Sequence, residues 1–448
     1  DVVHDGVQVP GGNLWVRGGR VARISFADIG KGLSPFAGLV DYPQDENERM
    51  LIDRLSAHGV AVERRTELLR FDDDGASVRA TLKLPDGSQT SCEASYLAGC
   101  DGAHSTVRTG LGIDFPGGTY DELFYVADVA LTGPVTNHEI HIDLGTADFL
   151  AAFPLKGAGH VRLIGTVLAP AEGEQRDLTF ADVSGRAIRD LQLEIEQVNW
   201  FSTYRVHHRV ANSFRKGRAF LLGDAAHIHS PAGAQGMNTG IGDAVNLAWK
   251  LAAVVSGEAT PKLLDSYEQE RIGFARTLVK TTDRVFTFAT KRGALAAVVR
   301  TRLAPIILPW LFRGRRLRPF IFRTVSQIGI RYRESALSVG EVDDLAGGDR
   351  LPWIPTTSMD DNFTPLESMS WEAHVYGEPR VSAKGTCAEL QIPLHLFPWT
   401  PEARHAGLTR SALYLIRPDG YIALADGDGG ATRLRAYFIN RGLSPAGT

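Results

Sequence analysis

Hydrophobic and polar positions along this chain alternate with a period of two in some stretches and 3.6 in others, and the switches mark its elements. Phe220, Leu221 and Leu222 form a short apolar run that suits a buried strand, ending at Gly223 and Asp224. Pro231, Gly233 and Gly236 then break any regular pattern and predict an irregular loop. After Asn238 the pattern turns helical. Ile241, Ala244, Val245, Ala248, Leu251, Ala252 and Val255 share one face, with Gly257 as the stop.

Upstream, short strands are expected around a Pro10-Gly11-Gly12 turn, and a helix from Gln44 to Val60 after Pro43. Strand-like segments from Val60 to Tyr96, with turns at Asp72 to Gly75 and Pro85 to Gly87, predict a β-meander. Leu97 to Gly99 leads into Asp101-Gly102, and Ser105 suits an N-cap. Asp121 to Arg205 alternates in runs such as Glu139 to Leu144, predicting a mostly antiparallel sheet. Leu263 to Val279 reads as a charged amphipathic helix with a Glu268–Arg271 pair. Beyond Gly348, runs around Leu394 to Phe397 and Leu413 to Ala423 predict a small α/β domain. The fold class is therefore α/β.

Composition narrows this picture. The 448 residues imply two to four domains, and 44% hydrophobic with 22% charged content is ordinary for a soluble protein. A net charge of −4 gives no electrostatic case for nucleic acid. Cys92, Cys100 and Cys387 lack metal-ligand spacing and read as buried thiols in a reducing cytoplasm. The apolar stretch from Ala294 to Phe312 is cut by Arg300 and Arg302, so no membrane span is expected. Leu303 to Phe312, followed by Arg313, Arg315, Arg316 and Arg318, suits a cap over a pocket or a packed helix. Its basic-and-apolar mixture also suits docking on a membrane surface.

The chemistry concentrates at Gly223 to Trp249. A Gly-rich loop feeding a helix presents free backbone N–H groups to an electron-rich ligand. Asp224 repels phosphate but can accept hydrogen bonds from polyol hydroxyls. His227 and His229 lack further ligands at metal spacing, and His227 reads as a loop-ordering residue.

Gly223-Asp224-Ala225-Ala226-His227, then Pro231, Gly233, Gln235-Gly236-Met237-Asn238 and a helix, resembles the second FAD motif of the class A flavoprotein aromatic hydroxylases. These are the p-hydroxybenzoate hydroxylase-like enzymes. Asp101-Gly102 with Arg108 resembles the family's DG motif, and Gln44 matches a helix-start glutamine that approaches the flavin. The resemblance implies a p-hydroxybenzoate hydroxylase-like FAD-binding domain interleaved with the antiparallel substrate domain, plus a C-terminal thioredoxin-like domain. Implied boundaries are 1–40 and 126–205 for the β-rich substrate part, and 41–125 and 206–290 for the FAD part. A helical connector at 291–345 and the C-terminal domain at 346–448 complete the scheme. Cofactor contacts are implied at Gln44, Asp101, Gly102, Arg108, Gly223, Asp224, Pro231, Gly233, Gly236, Met237 and Asn238. The implied activity is an FAD- and NADPH- or NADH-dependent monooxygenase. It would hydroxylate a small phenolic or polycyclic aromatic with O2 through a flavin C4a-hydroperoxide. A Baeyer–Villiger oxygenase or a flavin-deficient binding protein are the alternatives, and a homodimer is compatible. No Gly-x-Gly-x-x-Gly unit precedes Gly223, so either the chain's beginning is missing or FAD binding is weak. No Cys-x-x-Cys occurs in the C-terminal part, which argues against disulfide exchange.

Overall fold

Alternating side chains in eight strands build the largest layer of the molecule. The computed structural model describes residues 2–145, 149–167, 178–183, 185–230, 235–290, 298–314, 317–355, 361–428 and 431–444. Across this sheet the order is His227–Ile228, Glu194–Val210, Gly117–Thr132, His160–Val167, Leu150–Pro154, Ile140–Asp143, Gly11–Val16 and Gly19–Ser25. Neighbours run antiparallel, except that Gly11–Val16 lies parallel to Ile140–Asp143. Strands Val7–Val9 and Gly11–Val16 flank Pro10 as expected, and the tight turn that joins Gly11–Val16 to Gly19–Ser25 falls at Arg17-Gly18. Gly11 and Gly12 lie within a strand. A Cβ on Gly11 would stand 2.8 Å from the Ile24 carbonyl, so glycine permits the close approach there.

A second, small sheet carries the motifs. Ala219–Leu221 pairs in parallel with Leu97–Gly99 and antiparallel with Arg215–Lys216. Phe220 and Leu221 are fully buried. Helix α1 (Gln44–Ala57) precedes the meander of Glu67–Asp73, Val78–Lys83 and Gln89–Ala94. Helix α2 (Thr106–Gly110) follows Leu97–Gly99, α3 (Gly236–Val255) follows the Gly223 loop, and α4 (Asp265–Thr290) packs across it. Glu268 and Arg271 on α4 do not pair. Glu268 accepts hydrogen bonds from the Phe214 and Arg215 amides, whereas Arg271 turns inward to Asp243.

The apolar face of α3 is not its buried face. Ile241 is 43% and Val245 39% exposed, while Asp243, Asn246 and Lys250 on the opposite side are at most 2% exposed. The polar stripe is inside because α4 supplies partners for every charge on it.

Two shorter helices, α5 (Ala304–Arg313) and α6 (Leu317–Val325), lead to the C-terminal layer. Its sheet runs Leu394–Phe397, Glu372–Tyr376, Leu413–Ile416, Ile422–Asp426, with the first pair parallel and the others antiparallel. Helices α7 (Val381–Glu389), α8 (Pro401–His405) and α9 (Ala431–Arg441) complete it. Trp249 of α3 packs into the same core as Trp371, Leu413 and Phe438. Cys387 is buried in that core, but Cys92 and Cys100 are exposed, contrary to expectation. Among the described residues no helix is long and apolar enough to cross a membrane.

Candidate functional site

Parallel pairing of Leu221 with Gly99 brings the two strand ends side by side, so the Gly223-Asp224 and Asp101-Gly102 turns are neighbours. Asp101 caps α2, accepting from the Ser105 hydroxyl (2.5 Å) and the Val107 amide (3.0 Å). Ser105 Oγ accepts the Arg108 amide at 2.9 Å, the expected N-cap. Gly102 sits at φ +78°, in the left-handed region. Arg108 is buried and donates to the Ala225 carbonyl (2.9 Å) and the Ala103 carbonyl (2.7 Å), tying the two turns together.

The Gly223 turn is held from behind. Gly223 has φ +54°, and its Cα lies 3.4 Å from where a Cβ on Gly240 would stand, so the turn and α3 touch backbone to backbone. Asp243 is the anchor. Its carboxylate accepts from the Gly223 amide (3.0 Å) and Arg271 Nε (2.6 Å) and bonds His227 Nε2 at 2.7 Å. Burial pushes the Asp243 carboxyl up, but Arg271 and His227 outweigh it and hold the group below the usual range. Arg271 also donates to the Tyr332 hydroxyl (2.8 Å) and the Thr239 carbonyl (3.1 Å). His227 therefore orders the loop through Asp243.

Asp224 is exposed, and among the described residues nothing hydrogen-bonds its carboxylate. Gly236, Met237 and Asn238 are exposed at the start of α3, and no side chain caps that end. Pro231 and Gly233 lie outside the described residues. Gln44 is exposed and donates to Glu48 of its own helix at 3.0 Å. The α1 residue that reaches the loop is Asn47, buried and 3.7 Å from the Met237 sulfur. Sequence reasoning missed Asn47, Asp243 and Arg271. A signal existed for Asp243, because it forms with Asn246 and Lys250 a second helical stripe that is polar.

Beside the α3 start opens a cavity of about 1740 Å³. Asn238, Ile241 and Val245 line one wall, and Ile140, Ile142 and Phe153 of the large sheet line another. Leu308 and Phe322 of the connector close a third side. The opposite face of the same strands is sealed and holds Asn13, Trp15 and His141. Trp15 Nε1 donates to His141 Nδ1 at 2.9 Å, and burial pushes the His141 imidazole down to about 4.

A family described as "FAD binding domain" matches residues 22–282, more than half the chain. This chain belongs to that FAD-binding family. A relative in it, the 6-methylpretetramide 4-monooxygenase of Streptomyces rimosus, is 31% identical over 92% of this chain and 78% of its own length. A flavin-dependent monooxygenase of Mycobacteroides abscessus is 30% identical over 87% of this chain and 76% of its own. Among solved structures, the OxyS anhydrotetracycline hydroxylase from Streptomyces rimosus aligns with a TM-score of 0.76 at 26% identity. That alignment covers 98% of this chain and 86% of OxyS. The α/β fold is thus that of the aromatic hydroxylases. The residues present fit the family's cofactor. An exposed carboxylate suits sugar-alcohol hydroxyls, and an uncapped helix start suits an electron-rich ring edge; that helix start borders an apolar cavity large enough for fused rings.

Proposed function

We propose that this chain is an FAD-dependent monooxygenase that takes electrons from NADPH or NADH and uses O2 to hydroxylate a phenolic or polycyclic aromatic compound. The observation that carries the reading is the open α3 start at the wall of the 1740 Å³ apolar cavity, with the exposed Asp224 carboxylate on the turn packed against that helix. Bound FAD would supply the electron transfer and oxygen activation. Asp224 would accept hydrogen bonds from the ribityl hydroxyls. The α3 start, at Gly236, Met237 and Asn238, would favour negative charge on the reduced ring. Gln44, Asp101, Gly102, Arg108 and Gly223 would frame the cofactor, and Pro231 and Gly233 belong to the same proposal. Ile140, Ile142 and Phe153 would hold the aromatic ring and keep water from it.

The same reading takes 1–40 with 126–205 as substrate part, 41–125 with 206–290 as FAD part, 291–345 as connector and 346–448 as a thioredoxin-like domain. The β-α-β-α-β-β-α order of the C-terminal layer, with one parallel pair, supports that last assignment. Its thiol, Cys387, is buried and has no partner cysteine nearby in sequence, so a packing role follows.

The test is an FAD titration of the chain and of Asp224→Ala, followed by turnover on a panel of phenols and fused-ring compounds under labelled dioxygen. Loss of a charge-assisted hydrogen bond of about 1.5–3 kcal/mol should weaken FAD binding roughly 10- to 150-fold. One labelled oxygen should appear in the product. Unchanged FAD affinity in the variant would sink the Asp224 assignment, and unlabelled product would sink the oxygenase reading.

A further inference from the structure

The connector helices carry a feature that the proposed reaction does not use. Between Asp283 and Glu334 the sequence has twelve lysines and arginines and no acidic residue, in a chain whose net charge is −4. The inner side of α5 and α6 is accounted for, since Ala304, Leu308, Ile321 and Phe322 line the cavity. Phe322 packs on Gly30, which leaves no room for a Cβ. The outer side is apolar and bare. Ile306 is 72%, Trp310 73% and Phe320 64% exposed, with Leu303 and Ile307 each 46% exposed beside them. Arg302 and Arg323, the latter at the edge of the cavity, are exposed on the same two-helix segment and make no ion pair among the described residues. Arg318 donates to the Ala27 carbonyl, a neutral partner, so its charge is not cancelled there.

We propose that the outer face of α5 and α6 docks on an anionic phospholipid bilayer, lying in the interface without crossing it. Large apolar side chains including tryptophan, set among arginines with no acidic neighbours in sequence, match the two faces of such a surface. Apolar groups enter the acyl boundary and cations meet the lipid phosphates. An acid-free stretch of this length is the charge complement of anionic lipid. It gives no acidic partner to a second copy of the same face, so self-association through it would set like charges together. Neither helix is long or apolar enough to span. Docking in this orientation puts the helices that wall the cavity against the bilayer, the phase where a lipophilic aromatic accumulates.

The test uses the full chain and sedimentation with two vesicle types, phosphatidylcholine alone and phosphatidylcholine containing phosphatidylglycerol. The chain should pellet with the anionic vesicles, and salt should release it as the screening length shrinks from about 10 Å at 0.1 M to about 3 Å at 1 M. Ile306→Ser with Trp310→Ser should lower partitioning about tenfold or more while leaving thermal unfolding unchanged. Arg302→Glu with Arg323→Glu should remove the preference for anionic vesicles. No binding to anionic vesicles at low salt overturns the proposal, as does equal binding by the serine variant. A dimer that the serine variant dissociates, without vesicle binding, would assign the face to a second copy instead.

Discussion

Two carboxylates nineteen positions apart in one stretch meet opposite fates, and the difference is set by what stands opposite each. Asp224 is exposed and no described residue hydrogen-bonds its carboxylate, whereas Asp243 is enclosed by Arg271, His227 and the Gly223 amide. The strand-end position of Asp224 was legible because a carboxylate between an apolar run and a Gly-rich loop is a local pattern. Asp243 was not, because its partners come from another helix and another strand. His141 shows the same limit. An Ile-His-Ile-Asp strand reads as apolar inside and polar outside, yet the isoleucines line the cavity and the histidine is buried against Trp15. That burial has a measurable consequence. Burial lowers the imidazole from 6.5 to about 4, so the folded state keeps it neutral while the unfolded chain takes up a proton. Its contribution is complete above pH 6.5 and is lost as pH falls towards 4, on the order of 2 kcal/mol gone by about pH 5. His141→Gln keeps an acceptor for Trp15 but cannot titrate. Urea midpoints across that range should fall less steeply for the variant, and parallel slopes would refute the assignment.

At the scale of the element, α3 is a helix with two stripes whose usual roles are exchanged. The sequence located the helix to within three residues of its start and gave its stop, because those depend on local breakers. It did not tell which face is buried, because an apolar stripe that borders a ligand cavity looks the same as one that borders a core. The exchange makes two substitutions on one helix behave oppositely. Asp243→Asn leaves Arg271 buried without its counter-charge, and breaking such a pair costs about 3–5 kcal/mol. It should lower the unfolding midpoint sharply and loosen the Gly223 turn. Ile241→Ser, on a residue 43% exposed, should change stability by no more than about 0.5 kcal/mol. Its effect should appear in the binding of apolar aromatic ligands to the cavity, read by calorimetry. A large stability loss at Ile241 would mean that this stripe is core after all.

Across the whole molecule, the C-terminal layer is locked to α3 and α4 by a buried cluster with balanced charge. Arg417 is fully buried and donates to both oxygens of Glu270 (2.7 and 2.9 Å) and to Asp419 (2.6 Å). Lys250, pushed down to about 8 chiefly by burial, donates to Glu270 at 2.8 Å, and Asn246 and Ser335 complete that carboxylate's shell. Trp249, Tyr332 and Tyr421 pack around the guanidinium. None of this was legible in the sequence, where the C-terminal part read as a small domain and Glu270 as part of a charged amphipathic helix. Its arginine partner lies 147 residues away, and nothing local marks the two as a pair. A rigid union follows, because a carboxylate and a guanidinium enclosed together cannot be parted without exposing or stranding both. Arg417→Met should remove about 3–5 kcal/mol from the union, leaving Glu270 and Asp419 with Lys250 as the cation of the cluster. Arg417→Lys should recover part of that, since it restores the charge but not the two-pronged geometry. Scanning calorimetry should then show the C-terminal layer melting before the rest in the methionine variant, and limited proteolysis should cut first around residues 331–355. If Arg417→Met instead unfolds in one transition at the parent's temperature, the charges are incidental and the shared core around Trp249 and Trp371 alone joins the two parts.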